Sequence, residues 1–272
     1  MFTALSFMLA FAPHGSGVAS AVASVPDTTP LPAPAPVVQE EEIEDLGVWK
    51  GAVNGGVIST DGNTNLTSLS AGADAQLRRE KDRITLSAYW NYQRQKPVGN
   101  QDPVSQRNAG ANAQYDYFMN ERTYLFGQAS AQYDKQANLD LRYTVGGGVG
   151  HQFLEREDLK LSAEAGLAFF SEDFFTPPPG TPSADAEYLS ARGAYDVDWQ
   201  VNEDLQVLHS GVVFPSLEDS DDVYAMLDTR ARVTLTESMF AQLQWVFNWD
   251  NTPAPGAGRR DNRYLLSVGW SF

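Results

Sequence analysis

The sequence predicts an all-β fold: a single antiparallel transmembrane β-barrel of about twelve strands, preceded by a signal peptide and a disordered leader rich in Pro and Glu. Three observations carry this. From Trp49 onward, segments of about 10–13 residues alternate apolar with polar or small side chains, which is the period of a strand. The connections are short and long by turns, as in a barrel with one short-turn end and one long-loop end. The polar face of the segments carries charges of both signs, costly in a dry core but at ease in a wet lumen.

The composition bounds the alternatives. A chain of 272 residues makes one large all-β domain or two small ones. No run approaches the ~18–20 apolar residues of a spanning helix. There is no cysteine, so disulfides and thiolate metal sites are excluded. A net charge of −16 argues against nucleic acid, since phosphate contacts need clustered Lys and Arg. No cofactor and no metal are expected.

Residues 1–23 contain no Asp, Glu, Lys or Arg, are largely apolar to Ala12, and end on the small-x-small pattern Ala21-Val22-Ala23. They read as a signal peptide that lacks the usual positive n-region. Residues 24–47 alternate Pro26, Pro30, Pro32, Pro34 and Pro36 with small residues, then carry Glu40, Glu41, Glu42, Glu44 and Asp45. Such a stretch favours extended polyproline II, repels itself and buries no core, so it reads as a periplasmic linker.

Residues 48–272 form the barrel. Strands are predicted near 48–59, 66–78, 83–95, 107–118, 123–134, 140–153, 159–171, 186–199, 204–214, 223–236, 239–250 and 262–272. The even count suits a bacterial single-chain barrel. Connections at 79–82, 119–122, 154–158, 201–203 and 236–238 are short. Those at 60–65, 96–106, 135–139, 172–185, 215–222 and 251–261 tend to be longer. Short turns belong at the periplasmic end.

Alternation assigns the faces. Ile84, Leu86, Ala88, Trp90 and Tyr92 go outward, as do Leu159, Leu161, Leu167 and Phe169, and Met239, Leu243, Trp245, Phe247 and Trp249. Thr85, Ser87, Asn91 and Gln93 go inward with Ser162, Gln242, Gln244 and Asn248, and Tyr89, Tyr124, Phe126 and Phe170 also point in. Aromatics near strand ends, Trp49, Tyr117, Phe118, Phe153, Trp199, Trp249, Trp270 and Phe272, suit interface girdles. A charged set is expected in the lumen: Lys50, Asp74, Arg78, Asp116, Arg142, Lys160, Glu164, Arg192, Asp196, Asp198, Asp228, Arg230 and Arg232. These residues either brace a largely filled lumen with salt bridges or form a charged constriction that selects small solutes.

Catalysis is not expected, and no catalytic residue is named. His151 falls on the apolar face near a turn. His209 is followed by Ser210, but adjacent strand residues point to opposite sides, so no Ser–His pair forms. The acidic segment Leu217-Glu218-Asp219-Ser220-Asp221-Asp222 lacks the ligand spacing of a calcium loop and reads as a solvated anionic loop. Thr176-Pro177-Pro178-Pro179-Gly180-Thr181-Pro182 stiffens another loop.

The final stretch places Tyr264, Leu266, Val268, Trp270 and Phe272 on one face, with Ser267, Gly269 and Ser271 between them. It resembles the last strand of bacterial outer-membrane barrel proteins, and that resemblance implies an assembly signal read by the barrel-assembly machinery. The opening Gly47-Val48-Trp49-Lys50-Gly51, then Gly55-Gly56 and Asp61-Gly62-Asn63-Thr64, resembles the YdiY-type family of outer-membrane proteins, described as salt-induced and sharing domain of unknown function 481. The match would run over residues 47–272. The resemblance implies an outer-membrane barrel in contact with outer-membrane lipid, without catalytic residues and without an established substrate. No obligate protein partner is inferred. The expected function is a non-enzymatic outer-membrane barrel with an envelope or stress role. A narrow channel for small solutes and a soluble secreted β-barrel binding protein are the alternatives.

Overall fold

In the computed structural model, the residues described are 47–60, 65–96, 104–175, 186–253 and 258–272. The signal peptide, all of the leader but Gly47, the Asp61–Thr64 motif and the Thr176–Pro182 loop lie outside them. Twelve strands follow in order: β1 (Trp49–Thr60), β2 (Asn65–Arg78), β3 (Asp82–Lys96), β4 (Val104–Phe118), β5 (Thr123–Asp134), β6 (Leu139–Glu155), β7 (Leu159–Phe174), β8 (Ala186–Gln200), β9 (Leu205–Pro215), β10 (Val223–Thr234), β11 (Met239–Asp250) and β12 (Arg260–Ser271). Each pairs antiparallel with its sequence neighbours, and β1 closes the ring against β12.

Every predicted segment is a strand, and the boundaries move by a few residues. β4 begins at Val104, β6 runs to Glu155 and β7 to Phe174. These extensions lie beyond the alternating part of each segment. There the regular alternation breaks off, and backbone pairing continues without a side-chain pattern to announce it.

The short turns are built from local side-chain chemistry. Asn120 Oδ1 accepts from the Arg122 and Thr123 amides at 3.0 and 2.8 Å, and Asn202 Oδ1 does the same for Asp204 and Leu205 at 3.0 Å each. Such Asx turns reverse the chain within a few residues. Arg79 pairs with Asp82 at 2.6 Å across another turn. Asn138, at φ 59°, sits in the left-handed region that Asn tolerates, where β5 and β6 join through a register shift.

The two faces separate as the alternation requires. Outward and exposed stand Val53, Leu125, Val145, Leu167, Leu243 and Leu266. Trp49, Tyr117, Phe153, Trp199, Trp270 and Phe272 form an exposed aromatic ring at the short-turn end. Phe118 departs from that expectation: it is 6% exposed and packs with Tyr124 and Phe126 inside. It shares the parity of Asp116, and its ring carries the Arg78 guanidinium 3.5 Å away.

Inside, bulk is matched to glycine. A Cβ on Gly150 would collide with the Tyr124 ring, and one on Gly269 with the Phe240 ring. Each absent side chain lets an aromatic lie flat on the neighbouring strand and fill the lumen.

Candidate functional site

The lumen gathers the charged set into three groups. Nearest the short-turn end, Glu164 of β7 accepts from Gln114 Nε2 at 2.8 Å, Tyr124 Oη at 2.9 Å and Arg192 Nη1 at 2.7 Å. Beside it the fully buried Asp116 accepts from Arg83 Nε at 2.7 Å and Gln114 Nε2 at 2.9 Å. The cations also rest on rings: Arg83 lies 5.0 Å from the Tyr124 centroid and Arg192 4.7 Å from that of Phe126. Five strands, β3, β4, β5, β7 and β8, are bound through this one group.

The second group crosses the lumen. Arg230 of β10 donates to Asp228 through Nε and Nη2, each at 3.1 Å, and reaches Asp74 of β2 at 3.5 Å. Arg232 donates to Asp74 at 3.0 Å and to Gln242 Oε1 at 2.7 Å, and Gln244 donates to Asp228 at 2.8 Å. β2 and β10 are not ladder neighbours, so this is a strut between distant parts of the wall.

The third group lies at the long-loop end. Arg142 of β6 donates to Glu172 at 2.5 Å and to Asp250 of β11 at 3.1 Å, and Tyr188 donates to Glu172 at 3.2 Å. Its guanidinium covers the Tyr224 ring at 4.3 Å. An aromatic stack of Phe170, Tyr188, Phe214 and Tyr224 fills the space behind it, with centroids 4.8 to 6.3 Å apart. Arg263 pairs with Asp134 at 3.2 Å on the same level.

Five of the expected lumen residues stand apart from these groups, among them Arg78, whose guanidinium lies over the Phe118 ring. Lys160 lies opposite Asp198 across the β7–β8 ladder, and Asp198 accepts from Gln206 Nε2 at 2.8 Å. Asp196 faces the central cavity and makes no hydrogen bond or ion pair to any described residue. Lys50 is exposed at the start of β1, opposite Gln76. Between the groups runs a cavity of about 600 Å³, lined from Lys160 near one end to Arg142 and Tyr224 near the other.

The charged partners Arg83, Asp134, Glu172, Asp250 and Arg263 were absent from the sequence-derived set. Alternation could have found Arg83, since it shares the parity of Thr85 and Ser87. The other four sit at or beyond the predicted strand ends, where parity is hardest to assign.

The remaining sequence-derived features are placed as follows. Tyr264, Leu266, Val268, Trp270 and Phe272 are exposed on the outer wall, and the Phe272 backbone exchanges hydrogen bonds with Gly51 at 2.9 and 3.0 Å. His209 stands opposite Thr229 and Ser210 opposite Asp228, so alternation sends the two to opposite faces; the His209 ring nitrogens lie 2.7 Å from Tyr195 Oη and 2.8 Å from Thr229 Oγ1. His151 meets Thr123 Oγ1 at 3.0 Å and the edge of Phe153. In the acidic loop, Asp222 accepts from Thr252 Oγ1 at 2.6 Å and so ties two long loops together.

Comparison with known proteins adds a lineage. The sequence profile of the family described as "Protein of unknown function, DUF481" matches residues 53–272. The uncharacterized protein YdiY of Escherichia coli strain K12 is 23% identical over 225 residues, covering 82% of this chain and 83% of its own. Among solved structures, the translocator domain of the autotransporter NalP from Neisseria meningitidis is similar at 12% identity and a TM-score of 0.47, over 85% of this chain and 90% of that one. The NanC porin is similar at 7% identity and a TM-score of 0.47, over 82% and 100%. An outer membrane channel from Pseudomonas putida F1 is similar at 14% identity and a TM-score of 0.46, over 84% and 96%.

Proposed function

The chain belongs to the DUF481 family of proteins of unknown function, and we propose that it is a non-enzymatic barrel of the bacterial outer membrane with a structural role in the envelope. The observation that carries the reading is the inversion of its two surfaces. The outer wall exposes a continuous set of Leu, Val and aromatic side chains, while the interior holds ion pairs. In water that outer area would be an aggregation hazard far larger than a monomer tolerates. In lipid it is the required surface, and a closed ring leaves few backbone groups to satisfy. The same observation disfavours a soluble binding barrel.

The lumen is cross-braced rather than open. Three charged groups join strands that are not neighbours, and an aromatic stack stands at the long-loop end. Planar-bilayer recordings of the purified protein are expected to show little steady conductance. Stable large openings would overturn the closed-lumen reading.

One observation favours the channel alternative. The cavity of about 600 Å³ contains Asp196, which has no ion partner among the described residues, and this suits the passage of small cations. Liposome swelling with small solutes, compared with an Arg230→Ala variant that removes the central strut, separates the two. Uptake that rises in the variant supports a narrow passage, and no uptake in either supports the braced barrel. The Tyr264–Phe272 face and the barrel-assembly machinery enter this proposal as recognition feature and partner.

A further inference from the structure

Two neighbouring rows of the ladder give one side of the central cavity a chemistry that the braces do not use. In the first row Asp74, Ser87, Asn112, Ser130 and Thr144 follow one another as directly paired residues from β2 to β6. In the second, two positions further along each strand, Asn54, Gly72, Tyr89, Gly110 and Gln132 do the same from β1 to β5. Side chains directly opposite lie about 5 Å apart, so the two rows make one contiguous patch. All ten residues line the cavity.

Asp74 aside, the patch carries no charge. Asn54, Ser87 and Asn112, with Gln128 as the inward neighbour of Ser130, make no hydrogen bond to any described residue. Two glycines shape the surface. A Cβ on Gly110 would fall 2.6 Å from the Tyr89 ring, and one on Gly72 would fall 3.0 Å from the Asn54 amide. The ring and the amide therefore recline on the neighbouring strand, and Tyr89 stays 38% exposed beside the cavity. On β8 to β12 the lining is in part aliphatic, with Ala194, Val212, Met226, Val246 and Leu265. Val212 stands directly opposite Met226. Arg142 and Arg230 also line this space, but both are already committed to carboxylates. What the cavity offers a ligand is free amides and a hydroxyl on one side, an open ring among them, and aliphatic groups on the other.

We infer that this chamber is a binding site for an uncharged sugar, with its hydroxyls on Ser87, Asn112 and Gln128 and a C–H face of its ring on Tyr89. A carboxamide sets a donor beside an acceptor, the arrangement that two vicinal hydroxyls match. The face of the Tyr89 ring is negative and receives the weakly positive C–H hydrogens of a sugar ring. The aliphatic side takes the C–H surface that remains. A cavity of about 600 Å³ falls within the usual ligand-pocket range of ~300–1,000 Å³. Anionic sugars are disfavoured, because Asp196 lines the same cavity with no ion partner among the described residues. The inference rests on the braced-lumen reading proposed above, since the braces bound the chamber.

The test is saturation-transfer NMR on the purified barrel, held in a detergent without a sugar head group. The probes are glucose, galactose, mannose, maltose and lactose, with glucuronate as the charged comparison. Saturable binding of at least one neutral sugar is expected, and glucuronate should bind at least fivefold more weakly. Asn112→Leu should weaken binding tenfold or more, and Gln128→Met serves if the first variant does not assemble. Tyr89→Leu should weaken it at least fivefold, while Val233→Ala on the outer wall should leave it unchanged. Migration before and after boiling verifies the fold of each variant. Planar-bilayer recording separates the two readings. Stable large openings would overturn the braced lumen and the chamber with it. A closed barrel that binds none of the neutral sugars, that prefers glucuronate, or whose binding is unmoved by the wall variants overturns the chamber alone.

Discussion

Arg142 is the residue on which most of the long-loop end depends. It answers two carboxylates, Glu172 and Asp250, and covers a ring, all in a site where it is 6% exposed. Removing one partner of a buried pair leaves the other charge uncompensated, at a cost of about 3–5 kcal/mol. Arg142→Met is therefore expected to lower the free energy of unfolding in urea, followed by tryptophan fluorescence, by an amount in that range, with a lower midpoint. Adding Glu172→Gln should recover part of the loss, since it removes one of the stranded charges. Equal midpoints for wild type and Arg142→Met would mean that lumen water already satisfies both acids. Gly150 makes a second residue-scale case. Gly150→Val places a branched side chain where the Tyr124 ring lies, and overpacking of this kind costs about 1–3 kcal/mol. Gly127→Ala has open space around its Cβ and is expected to fold normally by the same measurement.

At the scale of elements, β12 has two different edges. It pairs along nearly its whole length with β11, and with β1 from Ala52–Ser271 to Gly55–Val268, extended by the Gly51–Phe272 bonds. Phe272→Asp puts a charge on the outer face beside the Gly51–Phe272 bonds, and its level in the outer-membrane fraction is expected to fall sharply. Wild-type levels would remove the recognition role proposed for this face. The strands themselves were legible because each combines alternation with a turn signal, as Asn120 and Asn202 illustrate. The seam was not legible. Nothing in the composition of β1 marks where its ladder to β12 ends, since ladder pairing depends on ring geometry rather than on local propensity. The apolar stripe of Val212, Met226, Val246 and Leu265 was likewise hidden. Alternation treats an apolar residue on the polar face as noise, and the stripe emerges only when four strands are laid side by side. Phe118 misled for the converse reason: an aromatic at a strand end suggests a girdle, yet its parity with Asp116 sends it inside.

At the scale of the whole molecule, the central claim is that the apolar surface faces lipid and the ion pairs face the lumen. The lack of cysteine makes this testable residue by residue. Single cysteines introduced at Leu243 and Leu266 on the outer wall, and at Gln244 and Asn112 in the lumen, can be probed in isolated outer membranes. A water-soluble maleimide and a membrane-partitioning one distinguish the two environments. Labelling at Leu243→Cys and Leu266→Cys by the membrane-partitioning reagent alone, with Gln244→Cys and Asn112→Cys open to the small water-soluble one, is the expected result. Free labelling of the outer-wall cysteines by the water-soluble reagent, or recovery of the protein in the aqueous fraction without detergent, would contradict it.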